Sequence, residues 1–73
     1  MRVTAELTFP QTLKNHPVFY EMAKKFEIIP TIIEASFSSS MGWAYVRFEG
    51  EEDELNRLFE YLQTLDVIVD RRD

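Results

Sequence analysis

The sequence predicts an α+β fold, a ferredoxin-like βαββαβ sandwich in which a four-stranded antiparallel sheet carries two helices on one face. Three observations point there. Four segments show strand-like character, two others carry apolar residues at helical spacing, and each helical segment falls between strands. Two short helices interleaved with four strands satisfy the right-handed crossover rule most simply in this arrangement. At 73 residues the chain fits a single domain over 1–73, near the lower size limit for folding alone.

Residues 2–9 place Val3, Ala5, Leu7 and Phe9 on one face and Arg2, Thr4, Glu6 and Thr8 on the other. That alternation predicts a half-buried first strand, ended by Pro10. After the polar stretch Gln11 to Asn15, the run Asn15-His16-Pro17 offers a capping side chain with Pro near the first helical position. Val18, Met22 and Phe26 then recur at helical spacing, with Phe19 and Ala23 widening the stripe, and the helix stops before Pro30. Thr31 to Ser38 is β-branched and aromatic, which predicts a second strand with Ile33, Ala35 and Phe37 inward and Ile32, Glu34 and Ser36 outward. Ser38-Ser39-Ser40 reads as a hairpin connection into a third strand, Gly42 to Glu49. Gly50 and the acidic turn Glu51-Glu52-Asp53-Glu54 open a second helix, whose apolar stripe is Leu55, Leu58, Phe59, Leu62 and Leu65. The run Asp66 to Asp70 predicts a fourth strand, with Arg71-Arg72-Asp73 as a frayed end.

This order defines an inward set of Val3, Ala5, Leu7, Phe9, Ile33, Ala35, Phe37, Ala44, Val46, Phe48, Val67 and Val69. The outward set is Thr4, Glu6, Thr8, Ile32, Glu34, Ser36, Trp43, Tyr45, Arg47 and Ile68, and it leaves one sheet face open. Trp43, Tyr45 and Ile68 on that face predict an interface, since exposed apolar patches usually mark interaction surfaces. A thin core in so small a domain adds a reason to expect a homodimer.

Composition excludes much. Without cysteine there are no disulfides, thiolate nucleophiles or cysteine-ligated clusters. His16 is the only histidine and sits at a helix start, where a capping or surface role fits better than acid–base work. The glycines are Gly42 and Gly50 alone, so there is no phosphate-binding loop, and no metal-ligand spacing occurs. The expectation is a protein that is not an enzyme and needs neither metal nor cofactor. No apolar run is long enough for a membrane span and no leader pattern is present, which leads us to expect a soluble, cytoplasmic protein without direct membrane insertion.

Gly42-Trp43-Ala44-Tyr45-Val46-Arg47-Phe48 is similar to the aromatic third-strand motif of RNA-recognition modules, with Met41 at its basic first position. The first strand, however, presents Thr4, Glu6 and Thr8 on the same face, and the formal charge is −5. Both repel a phosphate backbone, so no nucleic-acid partner is expected, and single-stranded RNA binding stays as a lesser alternative.

The succession Leu7-Thr8-Phe9-Pro10, Pro17 through Phe26, Ile29 through Ala35, Gly42, Phe48-Glu49-Gly50 and Tyr61-Leu62 resembles the NIL domain over nearly the whole chain. The resemblance implies a ferredoxin-like, ACT-like regulatory domain that pairs across subunits. It is best known at the C-terminus of ATP-binding subunits of methionine ABC importers, where bound methionine inhibits transport, and it also occurs joined to ferredoxin segments or free-standing. The family's Asn-Ile-Leu triplet is Thr31-Ile32-Ile33 here. A hydroxyl at Thr31 cannot reproduce the paired donor and acceptor of an amide.

The reading that results is a small regulatory module sensing an amino acid such as methionine at a homodimer interface. Thr31, Ile32, Ile33, Met41, Gly42 and Trp43 are the candidate ligand residues, and Trp43, Tyr45 and Ile68 the candidate interface. A transporter or ferredoxin is the partner the resemblance implies. The alternative is a protein–protein adaptor docking through the open sheet face.

Overall fold

The structure is a computed structural model that describes residues 1–13, 15–38 and 40–72. Its elements are β1 (Arg2–Phe9), a short 3-10 turn (Gln11–Leu13), α1 (Val18–Lys25), β2 (Ile29–Phe37), β3 (Gly42–Glu49), α2 (Glu52–Thr64) and β4 (Ile68–Arg71). All four strands join one antiparallel sheet in the order β2-β3-β1-β4. This is the ferredoxin-like order that the βαββαβ succession predicts. Lys14 and Asp73, and the middle serine of the hairpin, Ser39, lie outside the described residues.

The core follows from alternation in the two central strands. Val3, Ala5, Leu7 and Phe9 of β1 face Phe48, Val46, Ala44 and Gly42 of β3 in register. Their layer is closed by Val18 and Met22 of α1 and by Leu55, Leu58, Phe59 and Leu62 of α2, all buried. Each such Leu, Val or Phe contributes about 1.5–3 kcal/mol of burial, so these strands and helices supply most of the driving force. Phe48, fully buried, meets the edge of Phe59 with ring centroids 5.6 Å apart.

Several local expectations change. Pro17 itself is the N-cap of α1, and no side chain caps that end. His16 instead turns to the Glu21 carboxylate on the first turn of the helix. Pro30 does not bar the second strand, which begins at Ile29. The reason is position: β2 is an edge strand, where a residue without an N–H is tolerated. The fourth strand starts two residues late, because α2 ends in a Schellman turn. Asp66 takes φ 64° there, its N–H donates to the Gln63 carbonyl and that of Val67 to the Leu62 carbonyl. Arg71 belongs to β4, and the Arg72 N–H donates to the Thr4 carbonyl at 2.9 Å, so the predicted fray is absent through Arg72.

The largest correction lies in β2. Ile32 pairs with Val46 and Glu34 with Tyr45, which leaves Ile33 as the extra residue of a bulge. A bulge inverts the alternation beyond it. Ile32, expected on the open face, therefore sits on the helix side opposite Val46, and Ile33, expected in the core, is displaced and half exposed. Ala35 and Phe37 keep the helix side but stay exposed, and Val69 is only partly buried. Among the described residues no helix is long and apolar enough to cross a membrane.

Candidate functional site

The exposure of β2 has a simple cause in lengths. The eight residues of α1 span about 12 Å, whereas the nine of β2 extend about 30 Å. The helix covers only part of the strand, and the distal half of its inner face is left open. There a cavity of about 260 Å³ lies between the end of β1, the 3-10 turn, the start of α1 and the hairpin from β2 to β3.

Its walls are mostly apolar: Phe9, Leu13, Val18, Phe19, Ile32, Phe37 and Met41, with Pro10 and Gly42. Phe9 stands at the centre of an aromatic series, 5.6 Å from Phe19 and 5.9 Å from Phe37 by ring centroid. Gly42 is what lets Phe37 lie there. A Cβ built on Gly42 would come within 2.4 Å of the Phe37 ring, so only glycine allows the ring to lie over β3. Phe37 remains 59% exposed and forms an outer wall with solvent behind it.

The polar groups sit at the rim: Gln11, His16, Ser38 and Ser40. Ser38 holds the hairpin shut, its N–H donating to the Met41 carbonyl at 2.8 Å while its Oγ accepts from the Met41 N–H at 3.2 Å. His16 is tied through Glu21 to the second helix, since the Tyr61 hydroxyl donates to Glu21 Oε1 at 3.5 Å and Lys25 Nζ donates to that hydroxyl at 3.2 Å. The Ser38 hydroxyl donates to the Met41 carbonyl at 3.1 Å, so the rim offers a ligand head group the Ser40 hydroxyl and the Gln11 amide, above walls that suit an apolar side chain.

Of the sequence-derived ligand residues, Ile32, Met41 and Gly42 line this cavity. Thr31 and Trp43 do not. Thr31 pairs with Arg47 and Trp43 with Ser36, on the opposite face of the sheet, and Ile33 stands at the bulge. Sequence pattern does not mark Phe9, Phe19, Phe37 or His16 as site residues, because an apolar stripe looks the same whether its neighbours fill the space or leave a gap. The mismatch between a short helical pattern and a long strand was the available signal.

Trp43, Tyr45 and Ile68 do share the open face: Thr8 is flanked by Trp43 and Ile68, and Glu6 by Tyr45 and Asp70. Trp43 and Tyr45 are half-buried between neighbouring strands, while Ile68 is 65% exposed. Among the described residues no group of three His, Cys, Asp or Glu side chains is placed to hold a metal ion.

Comparison with known proteins agrees with this architecture. Six chains of known structure match. One is the C-terminal domain of an ABC transporter / ATP-binding protein from Enterococcus faecalis, which superposes with a TM-score of 0.81 at 19% identity, over 94% of this chain and 81% of that one. At that identity the likeness speaks for the fold. No curated protein matches in sequence. A family profile, by contrast, matches from Val3 to Arg71, and the chain belongs to the NIL domain family.

Proposed function

We propose that the chain is a non-catalytic regulatory module that binds a small amino-acid-like ligand, with a methionine-like side chain in the Phe9–Phe19–Phe37–Met41 cavity. The observation that carries this reading is the cavity itself. At about 260 Å³ it is below the usual range for drug-sized ligands and suits something the size of one amino acid. Aromatic rings and Met41 favour a polarizable thioether or branched aliphatic chain, with sulfur–aromatic contacts adding to burial. Ser40 and Gln11 at the rim supply donors for a carboxylate.

The same end of the molecule supports association. Ile29, Ile33, Phe37 and Met41 are all exposed on or beside the β2 edge, where backbone groups are unpaired. A homodimer joined along this edge would cover the cavity's open side. Ligand binding would then shift the dimer through its differential affinity for the associated state, as a domain regulating a transporter subunit requires. The reading treats 1–73 as one domain acting in the cytoplasm.

Calorimetry with methionine, leucine and glycine tests it. Methionine and leucine should bind and glycine should not, and Phe37→Ala should weaken methionine about ten-fold, the equivalent of about 1.4 kcal/mol. Equal affinity of wild type and Phe37→Ala, or no heat with any of the three, removes the cavity as the ligand site.

A further inference from the structure

Sulfur chemistry in this chain is confined to methionine, since there is no cysteine, and the three methionines stand in different settings. Met22 of α1 is fully buried, whereas Met1 and Met41 are each 60% exposed. Met1 lies where its carbonyl accepts the Gly50 N–H, at the far end of β1 from the cavity. Met41 alone combines an exposed side chain with a place in the cavity wall. Its backbone is also fixed. The Met41 carbonyl accepts from the Ser38 N–H at 2.8 Å and from the Ser38 hydroxyl at 3.1 Å, and the Met41 N–H donates to Ser38 Oγ at 3.2 Å. A chemical change at the sulfur is therefore not relieved by the hairpin turning away, and the cavity feels it.

We propose that Met41 is a site of reversible oxidation by peroxides and that its sulfoxide closes the cavity to apolar side chains, a consequence that rests on the ligand reading above. A sulfur lone pair attacks one peroxide oxygen, so that an S–O bond forms as the O–O bond breaks and sulfur gives up two electrons. The departing hydroxide takes the remaining peroxide proton and leaves as water. Two thiols of an external reductant restore the thioether, yielding a disulfide and a second water.

The sulfoxide sets a strong acceptor on a wall otherwise built from Phe9, Phe19, Ile32 and Phe37. The rim donors beside it are the Ser40 hydroxyl and the Gln11 amide, the same groups that a ligand carboxylate would use. Oxidation thus spoils the apolar wall and competes for the rim at once. A homodimer joined along the β2 edge would cover Met41, so the reaction belongs to the dissociated chain, and the polar product holds the chain in that state.

Hydrogen peroxide added to dilute protein, with N-acetylmethionine amide in the same tube as an unhindered reference, tests this by mass-spectrometric mapping of each methionine. Met41 should react within about three-fold of the reference, and Met22 at least about fifty-fold more slowly. Once catalase has removed the peroxide, calorimetry with leucine, a ligand that peroxide leaves intact, reads the cavity. Leucine should bind the oxidised protein at least about ten-fold more weakly than the reduced one, and a thiol-dependent methionine sulfoxide reductase should restore it. Met41→Leu should hold leucine within about three-fold of wild type both before and after peroxide, which rules out Met1 as the source of the loss. Met41 reacting as slowly as Met22, unchanged leucine affinity in fully oxidised protein, or an equal loss in Met41→Leu overturns the proposal and leaves the ligand reading standing. Leucine that fails to bind even the reduced chain removes both.

Discussion

β2 and β3 are neighbours of similar length and similar composition, yet one builds the core and the other barely touches it. In β3 every second residue is buried, from Gly42 through Ala44 and Val46 to Phe48. In β2 no residue is buried, although Ile29, Ile32, Ile33 and Phe37 are as apolar as anything in β3. The difference lies in what covers each strand. β3 runs through the middle of the sheet beneath both helices, whereas β2 is an edge strand that outruns α1. Strand propensity reports that a segment fits a pleated surface; whether that surface is covered depends on elements elsewhere in the chain.

Paired truncations sharpen the contrast most. Phe48→Ala removes a fully buried ring that meets Phe59, and it should cost about 3–5 kcal/mol, a large share of the total stability of about 4–11 kcal/mol expected at this length. In dilute, monomeric protein Phe37→Ala should cost less than about 1 kcal/mol, since more than half of that ring faces water in the single chain. Urea unfolding of both variants is the check. Comparable losses would mean that β2 is covered in solution, which a stable edge-to-edge dimer would bring about.

The two glycines give a second, smaller test of the same contrast. A Cβ at Gly50 would meet Ile28 Cγ2 at 2.9 Å and the Glu27 carbonyl oxygen at 3.1 Å, and the backbone member of that pair cannot swing aside. Gly50→Ala should destabilise by about 1–3 kcal/mol through overpacking. At Gly42 the only obstacle is the ring of Phe37, which is free to move outward. Gly42→Ala should therefore cost under about 1 kcal/mol of stability while reshaping the cavity wall. Thermal melts read the first quantity, and methionine titration of the Gly42 variant reads the second.

Much of this was legible beforehand. The order of elements, the faces of β1 and β3, and the apolar stripes of both helices follow from periodicity, because central strands and amphipathic helices leave a regular imprint on sequence. The bulge at Ile33 leaves none. One unpaired residue in Thr31-Ile32-Ile33-Glu34 transfers Ile32 to the helix side, and no residue type there announces it. The cavity was hidden for a related reason: Phe9, Phe19 and Phe37 read as core residues, which two of them largely are, and only the relative lengths of α1 and β2 reveal that the layer above Phe37 is missing.

The smallest predicted effect concerns the two faces of β2 itself, at adjacent residues. The resemblance to the NIL pattern sets asparagine where this chain has Thr31 and implies a methionine-responsive role for that position. Here Thr31 stands opposite Arg47 on the open face, while Ile32 beside it points to the cavity. If the cavity is the ligand site, Thr31→Asn should change stability by no more than about 0.5 kcal/mol, as for an ordinary surface substitution, and leave methionine affinity within about two-fold. Ile32→Ala, which removes cavity wall without disturbing the buried core, should weaken methionine about five-fold, equivalent to about 1 kcal/mol. Calorimetry on the two variants separates the alternatives cleanly. A marked gain in affinity from Thr31→Asn, with Ile32→Ala neutral, would move the ligand to the other face of the strand, and the contrast between β2 and β3 would then concern dimer packing alone.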